Sequence, residues 1–139
     1  SSEPGEMISA DKLHKWLRSN AAVQRALFLA QEAATLPGDR ADEALQLLEK
    51  AAQLQPNVAY LYYNKGCVLG AQGRLDEARG AFTKALTLDD RMAEAYYNRG
   101  VAALLDGRAA DALPDLSRAG ELGIYRAYNL IKQAKKTLQ

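Results

Sequence analysis

Cysteine is almost missing from this sequence: Cys67 stands alone among 139 residues. A lone thiol excludes an internal disulfide framework and any zinc site built from several cysteines, and it is consistent with a reducing compartment. Histidine is equally scarce. His14, the only one, lies between Lys12 and Lys15 and reads as solvent-facing, with no second imidazole for a metal site. His14 and Cys67 are far apart in sequence and give no nucleophile–base pair. Asp89-Asp90 are adjacent carboxylates in a turn, and neighbours in sequence point different ways. Gly66, Gly70 and Gly73 fall in or at the end of a helical segment with no strand before them, so no phosphate loop is present. No apolar run approaches the roughly 18 residues a membrane helix needs. Charge of one sign is lacking as well. The 18 basic and 17 acidic residues are interspersed and sum to +1, which offers nothing to nucleic acid, an anionic membrane or a strongly charged substrate. The chain is therefore expected to be no enzyme and to carry no cofactor and no metal. No secretory signal is in view, and the Ser1-Ser2 start fits loss of an upstream targeting segment.

What is present is a repeat. Tyr62-Tyr63-Asn64-Lys65-Gly66 returns 34 residues later as Tyr96-Tyr97-Asn98-Arg99-Gly100. Gly73-Arg74, Glu77-Ala78, Ala85 and Leu88 return as Gly107-Arg108, Asp111-Ala112, Ala119 and Leu122. A fixed period of this length marks a repeat architecture and outranks local propensity. Apolar residues make up 48% of the chain, ample for the core of one domain. Residues 1–8 are expected to be a disordered lead-in and residues 9–139 a single domain.

Helical periodicity runs throughout. Ser9 is an N-cap for a helix over 10–18 with Leu13, Trp16 and Leu17 as its apolar stripe. Trp16 reads as a packing residue of a terminal helix, with an aromatic anchor for a partner as the second reading. Asn20 is a further N-cap, so a new helix is expected over 21–36, burying Val23, Leu27, Phe28, Ala30 and Ala34. Pro37-Gly38-Asp39 breaks it. Helices follow over 41–54, 57–72, 75–88, 93–106, 109–122 and 124–138, separated by Pro56, Gly73, Asp89-Asp90, Gly107 and Gly123. Pro114 conflicts with the helix around it, where an interior proline costs about 3 kcal/mol. That helix is expected to start late, near Asp111, or to kink.

With three hairpins at this period, the chain resembles the tetratricopeptide repeat family. Tyr62, Gly66, Leu69, Ala78, Phe82 and Ala85 match its signature in one hairpin. Tyr96, Gly100, Ala103, Ala112, Leu116 and Ala119 match it in the next. Phe28, Ala44, Leu48, Ala51 and Pro56 match it in a degenerate first copy, with Glu32 where the others have glycine. The resemblance implies an all-α, right-handed α-solenoid with repeats at about 25–58, 59–92 and 93–126, shielded by helices 10–18 and 124–138. Gly66 and Gly100 would face Ala78 and Ala112, and Phe82 and Leu116 would fill the space between hairpins, since no hairpin buries its apolar face alone.

The resemblance also implies a concave groove lined by the first helix of each pair. Tyr63, Cys67 and Ala71 would face it, as would Tyr97, Val101 and Leu105. Asn64 and Asn98 lie beside them, and Tyr60 and Glu94 at the edge. Tyr128-Asn129 echoes Tyr97-Asn98 and would extend the row by one step. Spaced asparagines hydrogen-bond an extended peptide backbone without reading its sequence. Chaperone adaptors of the family instead clamp a terminal carboxylate with basic residues. The matching places here, Leu29, Ala33, Asn64, Glu94 and Asn98, lack the cations, and Glu94 would repel the ligand. The expected function is protein–protein interaction, with a partner's extended peptide or helix in the groove. The alternatives are a structural segment that self-associates through its stacking ends, or a regulatory domain of a larger protein.

Overall fold

The computed structural model describes residues 9–139, and the expected lead-in lies outside them. Seven α-helices follow in order: α1 Ala10–Thr35, α2 Ala41–Leu54, α3 Ala59–Ala71, α4 Leu75–Leu88, α5 Ala93–Leu105, α6 Ala109–Glu121 and α7 Ala127–Thr137. No strand occurs among the described residues. α1–α2, α3–α4 and α5–α6 pair as hairpins. α2 packs on α3, α4 on α5, and α7 closes on α6.

Small residues set how closely each hairpin closes. A Cβ added at Gly66 would lie 2.5 Å from the Phe82 ring, and one at Gly100 would lie 2.9 Å from Leu116. The glycines thus oppose the large residue of their own hairpin. Gly100 also faces the Ala112 backbone, at 3.4 Å, as expected, whereas Ala78 meets Gly70, at 3.9 Å from a Cβ added there, and not Gly66. Phe82 and Leu116 therefore seal hairpins from within rather than only spacing one from the next. The period also fixes how each hairpin is entered. Tyr62 donates its hydroxyl hydrogen to the Pro56 carbonyl at 2.8 Å, and Tyr96 does the same to Asp90 at 2.9 Å. α3 and α5 end on glycines in the left-handed region, Gly73 at φ 75° and Gly107 at φ 76°. The next N–H then reaches back to Leu69 and Ala103 at 3.0 and 2.8 Å, satisfying carbonyls the helix leaves free.

The first helix departs from expectation. Ser9 does cap it, accepting from the Lys12 N–H at 3.3 Å, but no break follows. Residues 10–35 form one helix, and Asn20 is inside it. Nothing at Ser19-Asn20 forces a stop, because neither residue is Gly or Pro and a cap residue is tolerated mid-helix when its neighbours propagate. The expected terminal shield over 10–18 therefore does not exist. Trp16 is 61% exposed, so most of the indole faces solvent, against its expected packing role.

The buried face of α1 also differs. Ala26, Leu29, Ala30 and Ala33 are buried, while Val23, Leu27 and Phe28 are exposed, as is Ala34. The cause is the connection that follows. Residues 36–40, including a 3₁₀ turn over Gly38–Arg40, join α1 to α2, whereas residues 72–74 and 106–108 suffice in the other hairpins. The two extra residues shift the register, so Ala30 and not Glu32 takes the place of Gly66, and Ala33 takes that of Leu69.

α6 begins at Ala109 and carries Pro114 inside it, not at a delayed start. Pro114 is exposed, so the ring meets water rather than a packed neighbour. On the same helix Asp115 is buried and receives a two-pronged hydrogen bond from Arg99 of α5, at 2.7 and 2.6 Å. That pair ties α5 to α6 across the third hairpin.

Candidate binding groove

α3 is flanked by a cavity on each side, and Cys67 borders both. The first cavity, about 350 Å³, opens between α3 and the first hairpin. Ala33, Ala34, Leu36, Ala44 and Leu48 line it from one side, and Asn64, Val68, Ala71 and Gln72 from the other. The second, about 220 Å³, lies between α3 and α5 and is lined by Gly66, Gly70, Phe82, Asn98, Val101 and Leu105. Both walls are mainly apolar, with one asparagine at each.

The two asparagines are held differently. Asn98 donates to the Tyr63 hydroxyl at 3.0 Å and points a second donor contact at the Cys67 sulfur at 3.7 Å. Tyr63 in turn stacks on Tyr60 with centroids 6.3 Å apart and tilts against Phe82 at 5.7 Å. Asn98 is thereby a tie between the second and third hairpins. Asn64 has no hydrogen-bonding side-chain partner among the described residues and borders the larger cavity. Burial pushes both the Tyr63 phenol and the Cys67 thiol up from their ordinary ranges. The contact with Cys67 raises Tyr63 further, while the Asn98 donor works in the opposite direction. Cys67 is thus held as a thiol, which is a poor nucleophile.

The remaining residues of the expected row fall in two places. Glu94 is close enough to Tyr63 to add to the rise in its pKa. Tyr97 lies under the Arg126 guanidinium, 4.4 Å from its centroid. Tyr128 does not continue the row in the manner of Tyr63 or Tyr97. Its ring folds back on α6, where a Cβ added at Gly120 would come within 2.6 Å of it. Asn129 is exposed on α7. The 31-residue offset that separates this echo from Tyr97-Asn98 already departs from the period, and α7 packs as a closing helix. Sequence reasoning missed Arg126 because it lies outside any repeated position. It also missed Leu27 and Phe28, whose exposure follows only from the shifted register of α1.

Residues 63–125 match a family model described as tetratricopeptide repeat. Residues 63–125 thus carry tetratricopeptide repeats, and the chain shares the fold of solved tetratricopeptide domains. The match begins inside α3 and leaves out the first hairpin, the one whose loop breaks the period. Solved tetratricopeptide domains share the helical solenoid. The first such domain of Spaghetti (RPAP3), bound to the HSP90 peptide SRMEEVD, superposes with a TM-score of 0.78 at 23% identity, over 84% of this chain and 97% of that one. The Arabidopsis OM64 domain gives 0.77 at 22% identity, over 83% and 98%. The TPR2B domain of yeast Sti1, in complex with pHsp70, gives 0.68 at 17% identity, over 86% and 98%. No curated protein sequence matches the chain.

Proposed function

We propose that this tetratricopeptide repeat domain is a protein-interaction module that takes an extended peptide or helix of a partner along α3 and α5. The observation that carries this reading is Asn64, with no side-chain partner of its own, at the wall of a cavity of about 350 Å³ lined by apolar groups. The cavity has room for an apolar side chain or two of a ligand, and Asn64 supplies an acceptor and two donors for its backbone. Peptide-bound relatives of the same fold, such as the Spaghetti domain with its HSP90 peptide, support the reading by analogy.

The ligand is not a carboxylate-terminated acidic tail. With the register of α1 corrected, Leu27 and Gln31 replace Leu29 and Ala33 at the first-hairpin places. Leu29 and Ala33 are themselves buried. The groove places are then Leu27, Gln31, Asn64, Glu94 and Asn98, without a cation. A neutral segment with apolar side chains suits them.

Selection from a random peptide library on the immobilised protein is the test. The Asn64→Ala variant is expected to lose at least about tenfold in affinity for the selected peptides, as hydrogen bonds worth around 1 kcal/mol each are removed. Its thermal midpoint should not change. Undiminished binding by Asn64→Ala would remove the groove from the account.

A further inference from the structure

The third hairpin satisfies its own cations. Arg99 of α5 is held by Asp115 at 2.7 and 2.6 Å, and Arg118 of α6 by Glu121 at 3.2 Å. One period earlier both cations are kept, as Lys65 of α3 and Lys84 of α4, while both carboxylates are replaced, by Ala81 and Thr87. Neither lysine forms an ion pair among the described residues. Both border a cleft of about 580 Å³ between α2, α3 and α4, which shares no lining residue with the two cavities at Cys67. We propose that this cleft binds acidic side chains of a partner protein, whose carboxylates do for Lys65 and Lys84 what Asp115 and Glu121 do for Arg99 and Arg118.

The charges of the cleft favour such a ligand. Over the whole chain the signs nearly cancel, to +1, but here they do not. Arg74 and Glu77 line the cleft and neutralise each other through a two-pronged hydrogen bond. What remains is Lys65 and Lys84 against Glu49 of α2, which pairs with neither. Lys84 is held in place: its ammonium lies 5.7 Å from the centroid of the Tyr62 ring, and the Tyr62 hydroxyl is fixed on the Pro56 carbonyl. Lys65 is half-buried, so its charge gains more from a counter-ion than a fully solvated lysine does. Leu45, Leu69, Gly80 and Ala81 complete the lining with apolar or small groups, suited to the methylenes of a glutamate. The corresponding cleft of the next pair of hairpins shows the contrast, because there Asp115 lines it and closes on Arg99. A phosphate is held best by the fork of a guanidinium, and the arginine lining the cleft, Arg74, is already engaged by Glu77. Lysines, as compact point charges, take a carboxylate without that fork.

Titration of the full chain with a capped peptide carrying two glutamates separated by two alanines tests the proposal, followed by proton–nitrogen correlation spectra. Amides around Lys65 and Lys84 are expected to shift with millimolar affinity or better, and the affinity should fall as salt is raised. Lys65→Ala combined with Lys84→Ala should lower it at least about fivefold, since partly exposed ion pairs are individually weak. Thr87 is exposed, so it tolerates a charge. Thr87→Glu gives Lys84 the partner that Arg118 has in Glu121, and should weaken binding with both lysines still in place. Glu49→Gln removes the opposing carboxylate and should strengthen it. Asn64→Ala should leave it unchanged, which separates this cleft from the groove. Amides that do not shift at millimolar peptide overturn the proposal, and so does an affinity that survives the double alanine variant. Binding unchanged by Thr87→Glu removes Lys84 from the site. A peptide with phosphoserines in place of the glutamates that binds more than about tenfold tighter through the same lysines overturns the carboxylate as the ligand.

Discussion

Glycine at one position in each regular hairpin decides whether two helices can meet. At Gly66 there is no room for a methyl group, because the Phe82 ring, 2% exposed, fills the space. Gly66→Ala is expected to destabilise the fold by about 1–3 kcal/mol as the ring or the helix shifts, read from urea unfolding. The neighbouring Tyr63 carries a second consequence. Its phenol is half-buried beside Cys67, and its pKa lies above the ordinary 10.0. The folded protein therefore keeps this proton when the unfolded chain has begun to lose it. That contribution to stability is complete below the ordinary value and fades as pH rises towards the folded one. Denaturation measured on both sides of the ordinary value should show an alkaline loss of stability that Tyr63→Phe reduces. Residue roles divide along the doubled tyrosines. Tyr62 and Tyr96 anchor the preceding loops through their hydroxyls, as any copy of the period would. Tyr63 and Tyr97 do not share one role: the first is bonded by Asn98 and the second is capped by Arg126. The repeated letters made both pairs visible, but they could not tell that Asn98 is occupied and Asn64 free.

At the scale of elements, the helices with period signals came out almost as read. α2 and α4 match the expected 41–54 and 75–88, and the others differ by a residue or a few at their ends. α1 did not, for a reason that local sequence hides. Two added residues in the connection at 36–40 rotate the preceding helix relative to the stack, and rotation, not composition, decides which of its apolar residues are buried. Leu27 and Phe28 have the hydrophobicity for a core position and end up on the surface. α6 presents the opposite case, a helix that tolerates a residue hostile to it. Pro114 removes the N–H that would bond to the Ala110 carbonyl, yet the ring faces solvent and Arg99–Asp115 ties the same turn to α5. Pro114→Ala should restore that bond and raise stability by about 1–2 kcal/mol. This is less than the ~3 kcal/mol of an isolated interior proline, because the variant also gains freedom when unfolded. Thermal melting followed by far-ultraviolet circular dichroism would register the gain.

The whole molecule is a row of hairpins, each stable only against its neighbours, so its two ends face different problems. α7 solves one. Ala127 and Ala134 are buried, and Ile124 in the turn before the helix completes that contact. Ala134→Glu places a charge in that interface and is expected to cost roughly 2–4 kcal/mol. Amide exchange in α7 should rise before that in α3 and α4. At the other end α1 runs beyond the hairpin it belongs to and leaves its apolar stripe uncovered. The sequence by itself determined the class of fold, the number of hairpins and the glycines at which two of them close, but not that Phe82 and Leu116 are what those glycines face. These follow from a 34-residue period and from the small residues that close helix approach demands. Only the tertiary structure decided the register of α1, the occupation of Asn98 and the inward fold of Tyr128. Each depends on where a helix is rotated by a loop, or on which distant side chain arrives beside it, and neither quantity is written in the spacing of residues along one chain.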